Sequence, residues 1–264
     1  MKITYRISEL VPYINWVYYF FAWQVKDEAE KLRMKREALD KLEVLEDKYQ
    51  AYAVFELFDA RGEDDDIILS RGERSEAQEV RIPCLRQQQG KPPYLCLADF
   101  VSPHSDKIGL FATSVDIGLE TDFDDDVYQK MLTQLLADRL AEAAAERLHE
   151  QVRKELWGYA KDEHLSIDDM LVEHFQGLRP AVGYPSLPDT SMNFLMDEIL
   201  DMKQIGIRLT ESGAMKPHAS VSGLMISNPH ARYFSIGKIG EDQLQDYARR
   251  RGLPAEVLRK WLIL

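Results

Sequence analysis

The sequence predicts an α+β fold in which antiparallel strands follow one another between helices, one of them long and amphipathic. Three observations carry this. From Asp126 to Ala160, apolar residues recur at mostly four-residue steps (Val127, Met131, Leu135, Leu140, Ala144, Leu148, Val152, Leu156), which marks a helix face. From Lys26 to about Gln50 the chain is rich in Glu, Lys, Leu and Ala, and Leu32, Leu39, Leu42 and Leu45 recur near helical spacing. Elsewhere β-like runs succeed one another, which argues against an alternating βαβ plan.

The elements follow in order. Val11 to Trp23 carries seven aromatics in thirteen residues, which predicts buried surface. This stretch is too short to span a bilayer, is broken by Pro12 and Asn15, and lacks a small-residue cleavage site. A cytoplasmic protein without a membrane partner is therefore expected. After the first helix comes a strand at Ala53–Phe58, an acidic loop at Arg61–Asp66 and a second run at Ile67–Leu69. The loop lacks calcium-ligand spacing and reads as a solvated turn. Strand character peaks again at Ile108–Val115. The long helix from Asp126 would measure roughly 50 Å if continuous to Ala160, at about 1.5 Å per residue. Ser166 with Asp169 resembles a capping box. Pro180, Gly183, Pro185 and Pro188 then force an irregular loop. Strands are predicted at Ile205–Thr210, Ala219–Ser227 and Arg232–Gly237, and helices at Glu241–Arg251 and Pro254–Leu262. The reading is one domain over residues 1–264.

A formal net charge of -12 repels phosphate backbones, so no nucleic-acid partner is expected. The one basic cluster, Arg249 to Arg251 with Arg259 and Lys260, reads as a solvated helix face, with an acidic docking partner as the alternative. Two cysteines, Cys84 and Cys96, twelve positions apart and without a CxxC pattern, predict packed, reduced thiols.

The sequence contains no GxSxG, HExxH, Walker A or GxGxxG pattern. Its six histidines (His104, His149, His164, His174, His218, His230) fall mostly in predicted loops or on polar helix faces and form no ligand pair. No catalytic residue and no metal site are assigned. The remaining candidate is Arg179-Pro-Ala-Val-Gly-Tyr-Pro185. It joins a guanidinium suited to gripping a carboxylate to a Pro- and Gly-restricted backbone that a ligand can approach. On its own it reads equally as a functional loop or a structural corner.

This segment matches RxxxGYP, and the sequence resembles the activation domain of cobalamin-dependent methionine synthase, whose S-adenosylmethionine-binding motif this is. The resemblance extends through Ile82-Pro-Cys-Leu-Arg-Gln-Gln88, Leu97-Ala-Asp-Phe100, Ala137-Asp-Arg-Leu-Ala-Glu-Ala143 and Leu156-Trp-Gly-Tyr-Ala160. It continues in Leu209-Thr-Glu-Ser212, Ala219-Ser-Val-Ser-Gly223, Arg232-Tyr-Phe234 and Asp246-Tyr-Ala-Arg249. The resemblance implies a twisted antiparallel sheet flanked by helices.

It also implies a ligand site. Arg179 matches the arginine that holds the methionine carboxylate. Ala181 lies where the main chain approaches the ligand, and Tyr184 matches the tyrosine near the sulfonium and the cobalamin. Glu142 on the long helix matches a glutamate lining the site. Tyr233 and Phe234 match an aromatic pair on a late strand beside the nucleoside. Asn15, in Asn15-Trp-Val-Tyr-Tyr-Phe20, replaces the family's aspartate, which pairs with the ligand's ammonium. A charge-assisted hydrogen bond contributes about 1.5–3 kcal/mol, so binding about an order of magnitude weaker is expected. Lys216 and His218 stand where the family usually has tryptophan and glycine.

The implied role is reactivation. The family rescues cob(II)alamin by coupling one-electron reduction, from a flavodoxin-like donor, to methylation by S-adenosylmethionine. Such a domain needs alignment and charge placement but no general base. At 264 residues the chain is too short to add homocysteine, folate and cobalamin modules, and it lacks an Asp-x-His-x-x-Gly run. It is therefore expected to act as a stand-alone module on a cobalamin-binding methionine synthase chain. Two alternatives remain: a non-catalytic adaptor or regulatory module, and an activator of another corrinoid methyltransferase.

Overall fold

The computed structural model describes residues 1–71 and 78–262. Its strands are β1 (Lys2–Tyr5), β2 (Ala51–Glu63), β3 (Asp66–Arg71), β4 (Gln78–Pro83), β5 (Asp106–Val115), β6 (Arg208–Leu209), β7 (Met215–Lys216) and β8 (Ser220–Met225). Six form one antiparallel sheet in the order β4-β3-β2-β5-β8. One edge of the long β2 is shared by β1 along Ala51–Val54 and by β3 along Asp59–Glu63, while β5 takes the other edge. Strands β6 and β7 pair separately.

Side chains alternate across a strand, and here both faces are buried. Ala51, Ala53, Phe55, Phe111, Val115 and Val221 enter one hydrophobic cluster. Val54, Ile108, Leu110, Ala112 and Leu224 enter the other. Polar residues on these strands are satisfied by the covering elements: Thr113 Oγ1 donates to Ala141 O (3.0 Å) and Ser114 Oγ to Ile205 O (2.5 Å). On the same terms, Ser222 Oγ donates to Asn193 Oδ1 (2.6 Å).

Helices cover both faces: α1 (Ile7–Leu10), α2 (Trp16–Ala22), α3 (Glu28–Leu45), α4 (Gly118–Thr121), α5 (Val127–Gln151), α6 (Ile167–Leu171), α7 (Met192–Leu200), α8 (Glu241–Arg251) and α9 (Ala255–Trp261). The first face packs against α1, α3 and α5. The second packs against α7. Among the described residues no helix is long and apolar enough to cross a membrane.

The long helix α5 is capped by Asp126, whose carboxylate accepts from Tyr128 N and Gln129 N at 2.9 and 3.0 Å. It widens into a π-turn over Val152–Leu156 and ends there, short of Ala160. Gly158 follows with φ +75°, a left-handed geometry that turns the chain away from the helix. The predicted stripe holds in its second half, where Leu140, Ala144, Leu148 and Val152 are buried. At the start of the helix Val127 (84% exposed) and Met131 face outward, and Leu132 and Leu136 are buried in their place. Strict four-residue steps advance more than one 3.6-residue turn, so such a stripe drifts around the helix and cannot follow the core along its whole length. Leu32 is likewise exposed on α3, whose core contacts are Met34, Ala38, Leu42 and Leu45.

Other expectations are revised too. The acidic segment is no separate loop: β2 continues through Glu63 and β3 begins at Asp66. The run from Ile205 contributes only Arg208–Leu209 as strand, and Arg232–Gly237 forms no strand at all. The basic cluster is divided. Arg250 and Arg251 turn inward, Arg250 pairing with Asp66 and Asp246 and Arg251 with Asp189. Arg249, Arg259 and Lys260 are exposed, as a solvated face requires. His149 lies fully buried within α5 rather than on a polar face. In the aromatic segment Tyr19 is buried, but α2 leaves Val17, Tyr18 and Phe21 (80% exposed) facing outward. The predicted capping box is present, with Ser166 Oγ accepting from Asp169 N (3.1 Å). Both cysteines are free and buried.

Candidate functional site

The Pro- and Gly-rich loop is anchored against the outer edge of β8. Leu178 N and Ile226 N each donate to the other residue's carbonyl at 2.8 Å. Leu224 N donates to Pro180 O (3.0 Å) and Val182 N to Ser222 O (2.9 Å). This close approach requires Gly223: a Cβ there would lie 2.2 Å from Pro180 O. The β8 register thus fixes where Arg179 and Ala181 stand.

Arg179 is buried. Its Nη2 donates to Glu146 on α5, and its Nε is buried without a partner. The ring of Phe111 from β5 lies 5.9 Å from the guanidinium carbon, within cation–π range. Burial opposes the charge, but Glu146 foremost, with Tyr233 and Glu142, holds the guanidinium pKa above its ordinary value.

Tyr184 closes the turn after Ala181, its N–H donating to Ala181 O (3.2 Å) and its hydroxyl to Glu142 Oε1 (2.9 Å). Burial first, then Glu142, raises the phenol pKa well above its ordinary value. The Tyr233 hydroxyl clamps the Arg179 backbone, accepting from its N–H and donating to its carbonyl, each at 3.2 Å. Burial pushes this phenol up to about 12, with Arg179 acting in the opposite direction. Tyr233 and Phe234 are therefore not held by a late strand. Their segment is pinned by the Tyr233–Arg179 contacts and by Ile236 N donating to Pro185 O (2.9 Å). Phe234 also packs on Phe100, with ring centres 6.3 Å apart.

Asn15 is the N-cap of α2, its Oδ1 accepting from Val17 N (3.1 Å). Asparagine caps about as well as aspartate, so the helix start is preserved while the negative charge is not.

All seven predicted residues, Asn15, Glu142, Arg179, Ala181, Tyr184, Tyr233 and Phe234, line one cavity of about 590 Å³. Neither Lys216 nor His218 lines it. Sequence reasoning missed Tyr13, Tyr18, Arg139, Glu146 and Glu173, which also do. Glu146 had a readable signal: Asp138, Glu142 and Glu146 are spaced by four in a helix otherwise dominated there by Ala and Leu. Glu173 had none, because it sits after α6 with φ +64°. Burial first, then Glu146, raises its carboxyl pKa.

Among the described residues, no group of three or more His, Cys, Asp or Glu side chains is placed to hold a metal ion. A concave site lined by a buried guanidinium, carboxylates along one helix and several aromatic rings has the make-up of a small-ligand binding site. The chain belongs to the family described as vitamin B12 dependent methionine synthase, activation domain, which it matches over residues 6–252. It is also similar to the crystal structure of the MetH reactivation domain bound to AdoHcy. The identity is 38%, with 99% of this chain and 88% of that chain covered and a TM-score of 0.92.

Proposed function

We propose that this chain, acting over residues 1–264 as a single activation domain, binds S-adenosylmethionine in the cavity between α5 and the Arg179 loop. There it would present the methyl group to a cobalamin held by a partner methionine synthase chain. The convergence of seven motif residues on one cavity supports this most directly. The residues present fit the ligand: Arg179 has a buried Nε to offer a carboxylate, Ala181 and Tyr184 bring main chain and ring to the same space, and the volume suits a nucleoside-sized molecule. The related reactivation domain bound to AdoHcy supports the same ligand class. When bound, S-adenosylmethionine supplies the methyl group, and a flavodoxin-like donor would supply the electron that reduces the partner's cobalamin. The protein's task is then to grip and orient, which needs neither a general base nor a nucleophile.

Isothermal titration calorimetry with S-adenosylmethionine tests the reading, together with reductive methylation of a cob(II)alamin-loaded partner. Saturable binding abolished by Arg179→Ala, with restored methylation, is the expected result. Asn15 favours a second reading, an adaptor that docks without holding the methyl donor. Partner capture without any measurable S-adenosylmethionine binding would select it. A pull-down identifying the bound corrinoid protein distinguishes methionine synthase from another corrinoid methyltransferase.

A further inference from the structure

Glu146 lies one turn beyond Glu142 on α5, outside every motif segment of the sequence. One carboxylate oxygen accepts from Arg179 Nη2, while the other, Oε2, is buried without a hydrogen-bond partner. Arg179 is similarly incomplete, with its Nε buried and unpaired. The two side chains form one bond and leave one acceptor and one donor unmet at the wall of a cavity they both line. Buried groups without a partner in a native fold ask for an explanation, and among the described residues with such side-chain atoms only Glu146 and Arg179 line this cavity.

The chemistry of that partner follows from the arrangement. An α-amino acid carries its ammonium and its carboxylate on one carbon. A guanidinium and a carboxylate held side by side are the complement of that pair. We propose that Glu146 is the ammonium acceptor for the methionine end of the ligand, and that the Arg179–Glu146 ion pair opens to receive the zwitterion. Arg179 then takes the ligand carboxylate and Glu146 the ligand ammonium, so one internal ion pair is exchanged for two external ones. The proposal rests on the S-adenosylmethionine reading above and assigns a residue within it.

The other polar groups on the cavity wall are less suited. Asn15 is neutral, and its oxygen already caps α2. Glu142 accepts from the half-exposed Tyr184 hydroxyl and makes no bond to the guanidinium. Glu173 is the weaker anion, because burial and Glu146 favour its protonated form. Glu146 remains only 18% exposed, which strengthens a charge-assisted bond relative to one in water.

The test is calorimetry with two probes, AdoHcy and its deaminated analogue, which keeps the carboxylate and lacks the ammonium. The wild-type protein is expected to prefer AdoHcy by about tenfold or more, and Glu146→Gln to lose that preference. The ratio of the two affinities within one variant is insensitive to any loss of fold stability, which a merely structural role would leave unchanged. Adding Asn15→Asp to Glu146→Gln is expected to restore part of the preference by returning an acid to the cavity lining. An undiminished preference in Glu146→Gln overturns the proposal and leaves the binding reading intact. Tighter AdoHcy binding by that variant also overturns it, since Glu146 would then be a competitor for Arg179. If the wild-type protein binds neither AdoHcy nor S-adenosylmethionine, the binding reading itself fails and the proposal falls with it.

Discussion

Replacing Gly223 by alanine adds a single methyl group in the middle of β8, yet it should loosen the whole site. The new Cβ would lie 2.2 Å from Pro180 O, 2.9 Å from Ala181 Cα and 3.0 Å from Pro180 C, all of them backbone atoms. A comfortable carbon–oxygen contact is about 3.3–3.6 Å, so the Arg179 loop must retreat by about 1 Å. Overpacking of this kind costs about 1–3 kcal/mol. The retreat also strains the hydrogen bonds from Leu224 N to Pro180 O and from Val182 N to Ser222 O. Each contributes about 0.5–1.5 kcal/mol. The total is about 2–6 kcal/mol, which at about 2–4 °C per kcal/mol lowers the melting temperature by roughly 4–24 °C. Urea denaturation with matched calorimetry against AdoHcy measures both consequences. A variant within about 0.5 kcal/mol of wild type, the scatter of an ordinary surface substitution, would refute the claim that this glycine sets the loop position.

Three further outcomes are expected. Arg153, fully buried, bonds Glu163 through Nε and Nη2 at 2.7–3.0 Å; Arg153→Met strands that carboxylate and should cost about 3–5 kcal/mol by chemical denaturation, with Glu163→Gln added recovering much of the loss. Burial first, then Arg153 and Arg179, holds the His149 imidazole well below its ordinary pKa of 6.5. The unfolded chain therefore takes up a proton that the folded one refuses, and this contribution is complete above pH 6.5 and lost as pH falls, by up to about 1.4 kcal/mol per pH unit. His149→Gln should flatten the acid limb of the stability curve, and an unchanged slope below pH 6.5 would contradict the assignment. Cys84 donates from Sγ to Ile82 O (3.6 Å), and the neighbouring Cys96 together with burial holds its thiol well above the ordinary range; neither thiol should react with a disulfide reagent faster than the protein globally unfolds, as measured by labelling kinetics.

Much of the fold was legible because its signals are local. The capping box at Ser166 and Asp169 needs only two residues, and the α+β class needs only the order of helical and strand-like runs. The boundaries that failed depend on distant partners. Whether Arg232–Gly237 becomes a strand depends on a free sheet edge, and the edge of β8 is already occupied by Leu178–Val182. The same residues have strand-like composition and are held instead by Tyr233 and Ile236. His149 reads as polar in sequence, yet it packs edge-on against Phe175 with ring centres 4.7 Å apart. The basic run at Arg249–Arg251 reads as solvated because its partners, Asp66 and Asp189, are remote in sequence. At the site, the seven motif residues were visible because a resemblance names them. Glu146 was legible only as one of a row of acids spaced by four on the long helix, because its place at the site comes from facing Arg179 across thirty-odd residues of chain.

Asn15 and Glu146 bear on the same question, how the proposed site, with asparagine at position 15, would hold the ammonium of its ligand. An aspartate at position 15 would do two things at once: cap α2 and present a negative charge. Asparagine keeps the first at nearly full value and gives up the second, so the substitution costs the fold little and its effect is confined to ligand binding. The acidic row on α5 is unaffected, and its member nearest the carboxylate grip is Glu146. An ammonium bound by Glu146 rather than at position 15 exchanges a lost charged partner for one that is largely buried and so less screened. Weakened binding through Asn15 and retained binding through Glu146 therefore differ in a measurable way. In the first case Asn15→Asp alone tightens AdoHcy by about tenfold. In the second it does so strongly only once Glu146 has been neutralised, because a single ammonium saturates with one buried carboxylate.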